Sequence, residues 1–193
     1  MPAAPLPERF SSGRLELRVW ASDDAAVLDE LVARNIEHLR PFLAWVADEP
    51  QTLAQRAVLI ETWRTTWRAG ADAHYAVHDR GEVIGTLGMM RRRGPRVIEL
   101  GYWIDAGHTR RGIATAAAGA ATLVALASPG IDAVQIHHDK ANVASGAVAR
   151  KLGYTFVGEA AEPALAPGES GIECIWRATA SGYDPRRVPV LEG

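Results

Sequence analysis

One segment constrains this chain more than any other: Glu99–Thr115, ELGYWIDAGHTRRGIAT. It begins as an apolar strand, breaks at Asp105-Ala106-Gly107, and resumes at Gly112 as a run of small and apolar residues reaching Ala127. So apolar a helix needs cover on most of its faces, which a sheet supplies. The next apolar run, Ala133–His137, reads as a strand, so the long helix crosses over between two parallel strands. A chain of 193 residues, 48% of them hydrophobic, can bury that helix in one domain with a core of its own.

The flanking pattern fills in the rest. Arg14–Val19 alternates polar and apolar residues as a half-buried strand does. Ser22-Asp23-Asp24 precedes a helix over Ala25–Asn35, and Thr52 caps a longer one ending at Arg68. Ala73–His78, Val83–Met90 and Val97–Ile104 are joined by turn residues, as in an antiparallel meander. After the crossover come a helix at Val143–Leu152 and strands at Tyr154–Gly158 and Gly171–Thr179. The fold class is α/β (α+β), with a mostly antiparallel mixed sheet of about seven strands flanked by helices. The expected division is a flexible segment over 1–13, one domain over 14–180, and a tail over 181–193.

The formal net charge of −2 does not favour a polyanion as the main partner. All but two of the 21 basic residues are arginine, the exceptions being Lys140 and Lys151. Cys174, the single cysteine, has no disulfide partner within the chain, which suits a reducing cytoplasm. No apolar stretch reaches the length of a membrane span. Neither nucleic acid nor membrane is expected as a partner, and no metal site is expected. His137-His138-Asp139 lacks ligand spacing on a helix face.

The helix start at 109–115 is the chemically suggestive feature. Unpaired N–H groups and the macrodipole make a helix N-terminus an anion site. Gly112 and Ala114 let backbone approach a ligand, and Arg110 and Arg111 add donors suited to phosphate. Spacing alone leaves two readings open, a pyrophosphate cradle or an ordinary helix start with solvated arginines. The glycine-rich phosphate motifs, H-E-x-x-H and G-x-S-x-G are missing.

Taken with Asn142-Val143-Ala144-Ser145 and Arg150-Lys151-Leu152-Gly153-Tyr154, the segment Glu99–Thr115 resembles the acyl-CoA-binding core of the GNAT N-acetyltransferases. Asn35–Trp45, NIEHLRPFLAW, and Tyr102-Trp103 narrow the resemblance to the RimJ/RimL type. The loop departs from that pattern at Thr109, where a longer polar residue is usual. The resemblance implies a sheet whose central strands splay to admit acetyl-CoA, and direct acetyl transfer to a primary amine. Coenzyme A is then the product.

It implies site residues as well. Cofactor contacts fall on Trp103, Ile104, Thr109, Arg110, Arg111, Gly112, Ile113, Ala114, Thr115, Asn142 and Lys151. A strand bulge near Trp103 and Ile104 is expected to free backbone N–H groups. Ser145 becomes the general acid and Glu99 the base, with Asp105, His137 and His138 as alternatives. Phe42, Trp45, Trp63 and Trp67 fall in segments that the resemblance places on the acceptor side, although aromatics at helical spacing are more often core, and Asp48 and Glu49 could attract a cation or simply form a charged loop. The acceptor is a protein N-terminus or a small cationic amine, and a homodimer is one assembly the resemblance allows. An antibiotic-modifying acetyltransferase, a succinyl or other acyl transferase, and a non-catalytic acyl-CoA sensor remain open. So does a nucleic-acid module built on Arg91-Arg92-Arg93 and Arg96.

Overall fold

The computed structural model describes residues 5–192. Its sheet has eight strands in the order β1-β2-β3-β4-β5-β6-β8-β7. These are β1 (Arg9–Ser12), β2 (Leu15–Val19), β3 (Ala73–Asp79), β4 (Glu82–Met90), β5 (Val97–Ile104), β6 (Ala133–Asp139), β7 (Thr155–Ala161) and β8 (Ile172–Thr179). Every pairing is antiparallel except β5 with β6. The helices are α1 (Ala25–Ala33), α2 (Ile36–Leu39), α3 (Leu53–Arg68), α4 (Ile113–Ala127) and α5 (Val143–Lys151).

Local chemistry explains the helix ends. Thr52 and Gln55 form a reciprocal capping box at the start of α3. Gly112 holds φ +78° at the start of α4, a backbone state that disfavours side chains. Small residues let α4 sit close to the sheet, and Ala116, Ala117, Ala118 and Ala121 are fully covered. α4 joins β5 to β6, as the crossover reading requires. Among the described residues no helix is long and apolar enough to cross a membrane.

The parallel pairing of β5 and β6 is short. It runs from Val97–Ala133 to Leu100–Ile136 and then stops, although β5 continues to Ile104 and β6 to Asp139. The strands therefore splay, leaving a V-shaped opening in mid-sheet. No bulge interrupts β5, whose register with β4 is regular from Glu99 to Ile104. The backbone groups of 101–104 that face away from β4 are freed by the departure of β6, which corrects the expected bulge.

The two faces of β5 meet different layers, as the two-residue period dictates. Ile98, Leu100, Tyr102 and Ile104 join the core beneath α4 and α5. Trp103 packs from the opposite face against the smaller core of Trp20, Leu28, Leu31 and Ile60.

The chain ends correct two expectations. The stretch 1–13 is not wholly a flexible end: β1 adds an eighth strand, Leu6 is buried, and Trp67 Nε1 donates to the Leu6 carbonyl at 2.7 Å. Residues 1–4 lie outside the described residues. The tail also packs. Tyr183 is buried, and the Leu191 carbonyl accepts from Arg14 N–H at 3.0 Å. Gly119 of α4 makes room for it, since a Cβ there would fall 2.8 Å from Val188.

Candidate functional site

A cavity of about 520 Å³ occupies the splay. Leu100, Gly101 and Tyr102 of β5 line one side, and His137, His138 and Asp139 of β6 the other. Asn142 and Ser145 reach it from α5, Phe42 and Leu43 from the segment after α2, and Pro163 and Leu165 from the loop between β7 and β8. Because the wall includes residues from both faces of β5, the opening connects the two sides of the sheet.

On the α4 side the loop has the geometry of an anion cradle. Arg110 at φ +61° and Gly112 at φ +78° lie in the left-handed region on either side of Arg111. Such alternation turns successive N–H groups inward. None of the described residues accepts a hydrogen bond from the backbone N–H groups of 110–115. Arg110 and Arg111 are exposed. Ile113 and Thr115 are buried and fix the first turn of α4 to the core. Thr109 bonds back to the Ala106 carbonyl through its hydroxyl, 3.0 Å away.

The loop is held from behind. Asp105 accepts from Arg34 Nε at 2.5 Å, Asn35 Nδ2 at 3.1 Å and Gly107 N–H at 2.8 Å. Asn35, almost wholly buried, also accepts from Ala106 N–H at 2.8 Å. Burial alone would raise the Asp105 carboxyl, but these donors prevail and bring it to about 2. Asp105 is therefore an anchor for the loop and not a base. Asn35 was legible in the sequence only as part of the NIEHLRPFLAW resemblance, since its partner lies 70 residues away.

Asn142 and Ser145 come together as the sequence suggests. Asn142 Oδ1 accepts from Ser145 N–H at 3.1 Å and starts α5. Tyr102, not assigned a role from the sequence, places its hydroxyl 3.2 Å from Ser145 Oγ. Lys151 is exposed in the last turn of α5, outside the cavity. Trp103 and Ile104 continue β5 beyond the lining residues.

The opposite wall is a network of charges. Glu99, 2% exposed, is bonded through one oxygen to Arg92 and through the other to Arg93 Nε at 2.6 Å. Arg93 also reaches Glu173 at 2.6 Å, which braces β5 to β8 across the splay. Burial would raise the Glu99 carboxyl, but the two guanidinium groups outweigh it and hold it below the usual range. Both oxygens are occupied and basicity is reduced, so Glu99 as found here is a structural counter-ion and not a poised base. The same bonds account for the arginine cluster. Arg92 and Arg93 neutralise Glu99, and Arg96 pairs with Asp132. That leaves little free charge there for a nucleic acid.

The histidines are also engaged. Trp176 Nε1 donates to His138 Nε2 at 3.0 Å, so neutral His138 carries its proton on Nδ1 and gives it to the Asp139 carbonyl. His137 sits between Glu173 at 2.8 Å and Gln135 at 2.9 Å. Glu162 at the cavity rim holds its proton more tightly than an ordinary carboxyl, chiefly through the neighbouring charge of Glu173. Asp139 ties down the rim loop. It accepts from Ser170 N–H and Gly171 N–H at 2.9 and 3.0 Å, and from Ala141 N–H at 2.7 Å. Burial opposes these bonds, but they bring the carboxyl to about 2.

Of the expected acceptor-side aromatics, only Phe42 lines the cavity. Trp45 sits in the short 3-10 turn Ala44–Asp48, away from it. Trp63 stacks on half-buried His74 with ring centroids 4.6 Å apart, and Trp67 is bonded to Leu6, so both serve the core. Glu49 pairs with buried Arg56 at 2.6 Å, which removes it as a cation attractor. Cys174 is buried in β8.

The same architecture is found among known proteins. The family model described as Acetyltransferase (GNAT) domain matches residues 14–155. No curated protein sequence matches the chain significantly. Among solved structures, the RimL ribosomal L7/L12 alpha-N-protein acetyltransferase in complex with coenzyme A is 20% identical. It has a TM-score of 0.79 and covers 91% of this chain and 97% of its own. RimJ of Mycobacterium smegmatis in complex with CoA-disulfide is 22% identical, with TM-score 0.79, covering 96% of this chain and 92% of its own. The microcin C7 self-immunity acetyltransferase MccE, in complex with acetyl-CoA and AMP, is 20% identical, with TM-score 0.79, covering 89% and 98%. At these identities the likeness establishes a shared fold.

Proposed function

The chain belongs to the GNAT acetyltransferase family, and from that premise we propose that it transfers an acetyl group from acetyl-CoA directly to a primary amine that is cationic when free. The observation that carries this reading is the splay of β5 from β6, which holds a cavity with a carboxylate-rich wall, together with the unpaired N–H groups of 110–115 in the loop and helix start that follow β5. The solved relatives described as complexes with coenzyme A or acetyl-CoA support the choice of donor.

The cradle fits a pyrophosphate. Backbone N–H groups of Arg111, Gly112, Ile113, Ala114 and Thr115 would hold it, with Arg110 and Arg111 adding charge and Thr109 shaping the entry. The freed backbone around Tyr102, Trp103 and Ile104 would bond the pantetheine arm and polarise the thioester carbonyl. Asn142, which caps the start of α5, would flank the thioester, and Lys151 would offer a cation to the far phosphate. The thioester supplies the electrophile.

In the transfer, a nitrogen–carbon bond forms and the carbon–sulfur bond breaks. The amine loses a proton and the sulfur gains one. Ser145 delivers the proton to sulfur. The amine's proton goes to the cavity rim, where Glu162 and Glu173 line the wall and the charge of Glu173 raises the proton affinity of Glu162. Glu99 holds Arg92 and Arg93 in place, and Phe42 packs against the acceptor. An α-amine of pKa about 8 needs less help from a base than a lysine amine of about 10, which favours a protein N-terminus. The relatives described as acetyltransferases of ribosomal protein L7/L12 support that choice.

A homodimer is proposed alongside, supported by exposed Phe156 and Val157 on edge strand β7, and sedimentation velocity tests it. The cytoplasm is the proposed location, in keeping with the free thiol of Cys174. The decisive experiment is thiol release from acetyl-CoA against N-terminal peptides, lysine peptides, polyamines and aminoglycosides, with succinyl-CoA as a second donor. Turnover restricted to α-amines supports the reading. Failure to bind coenzyme A overturns it, and tight binding without turnover on any amine turns it into a sensor.

A further inference from the structure

Ser145 is half-buried on the first turn of α5, and Tyr102 approaches it from β5 on the face that α4 and α5 cover. Their hydroxyl oxygens are 3.2 Å apart, and both residues line the cavity. Either oxygen could donate, and the surroundings decide which does. Had the serine donated to the phenol, the phenol's own hydrogen would need another acceptor. Among the described residues only the Ser145 carbonyl offers one, at 3.5 Å, the outer limit of such a bond. Donation by Tyr102 to Ser145 Oγ gives the shorter bond and leaves the serine hydrogen unassigned. The cavity is the space into which that hydrogen can then turn.

We propose that Tyr102 is the positioning residue of the acid step: its phenol donates to Ser145 Oγ, and the serine's single hydrogen is thereby directed at the departing sulfur. The geometry gives both hydroxyls a defined job. As the carbon–sulfur bond breaks, the electron pair stays on sulfur and takes the proton from Ser145 Oγ. The serine oxygen, already accepting from Tyr102, is stabilised as it gains negative charge and recovers a proton from solvent. Burial of the phenol pushes its own ionisation upward, so it remains a donor throughout the working pH range. Cβ alternation along β5 makes the arrangement possible. Tyr102 points to the α5 side, whereas Glu99 and Gly101 occupy the other face.

This inference rests on the acetyltransferase reading, and the test separates the two. Wild type, Tyr102→Phe, Ser145→Ala, Ser145→Thr, and the double variants that combine Tyr102→Phe with either serine substitution are compared by steady-state kinetics. Coenzyme A affinity and melting temperature are measured on each. Tyr102→Phe should lower kcat roughly ten-fold, and Ser145→Ala roughly a hundred-fold, with the KM for acetyl-CoA unmoved in both. The Tyr102→Phe/Ser145→Ala variant should be no slower than Ser145→Ala alone, because the phenol acts through the serine. Ser145→Thr, which keeps a hydroxyl, should be faster than Ser145→Ala while Tyr102 is present, and roughly ten-fold slower when combined with Tyr102→Phe. If Tyr102→Phe leaves kcat unchanged, or costs the same factor with and without Ser145, the inference is overturned. A phenol that only packs would move the melting temperature and leave the Ser145 variants additive. Wild type without thiol release on any amine would instead defeat the underlying reading. Should Tyr102→Phe fold poorly, Ser145→Thr against Ser145→Ala still tests whether a directed hydroxyl matters, equal loss in both being the adverse result.

Discussion

The two sides of the splay are made of different materials. The proposed donor side is backbone: residues 110–115 present N–H groups that none of the described residues accepts from, and the two arginines beside them are exposed. The proposed acceptor side is side chain. Arg92, Arg93, Glu99, Glu173 and His137 are bonded to one another in a network spanning β4–β5, β6 and β8. A cradle of backbone donors is built by a few consecutive residues, and it suits a cofactor common to a whole family. A wall of mutually paired side chains depends on distant strands, and it is the part free to differ with the acceptor.

If that contrast is right, substitutions on the two sides should separate two affinities. The largest effect is expected at Gly112. Valine there would be forced into a left-handed backbone state and would crowd the cradle, so coenzyme A affinity should fall roughly a hundred-fold by calorimetry. The acceptor KM should scarcely move.

Glu99→Gln tests the other wall. It leaves Arg92 and Arg93 without their full counter-charge, and should raise the acceptor KM about ten-fold while sparing coenzyme A binding. Stability should fall by about 2 kcal/mol in denaturant titrations. The cost is held below that of a fully buried pair because Arg92 is largely exposed. If Glu99 were instead the base, kcat would collapse and recover with rising pH, with stability unmoved.

Arg110→Ala with Arg111→Ala should weaken coenzyme A about five-fold at low salt, and less as salt is raised, since both guanidinium groups are exposed. The smallest effect is expected at Asp139, which ties the rim loop down. Asp139→Asn should speed proteolysis between 162 and 171 and raise the acceptor KM about three-fold, by loss of charge-assisted bonds. The folded Asp139 carboxyl titrates at about 2, below its unfolded value. Its stabilisation is therefore complete above about pH 4 and lost as pH falls toward 2. The difference in melting temperature between wild type and Asp139→Asn should shrink over that window.

Much of this fold was legible in advance. Val97–Ile104 is a strand with the expected bounds, α3 starts at its Thr52 cap, and α4 crosses between the parallel pair. These features are set by local periodicity, caps and turn residues. The first strand escaped because Arg9–Ser12 has no apolar alternation of its own and is ordered by pairing with β2. Trp63 and Trp67 read as core more readily than as cleft, as they prove to be, but helical spacing does not tell which face of α3 meets the sheet. Glu99 showed the same ambiguity. A carboxylate on a strand reads alike whether it is free or paired, and only the turn at Gly94-Pro95 brings Arg92 and Arg93 back to it.

The sequence alone determined the proposed donor side: the strand, the loop, the glycine and the small-residue helix are contiguous, and backbone geometry over a few residues follows from local sterics. The tertiary structure decided the proposed acceptor side. Which carboxylates are neutralised, which aromatic faces the opening and which hydroxyl meets Ser145 depend on contacts between strands and helices far apart in the chain, and burial and pairing have no local signature.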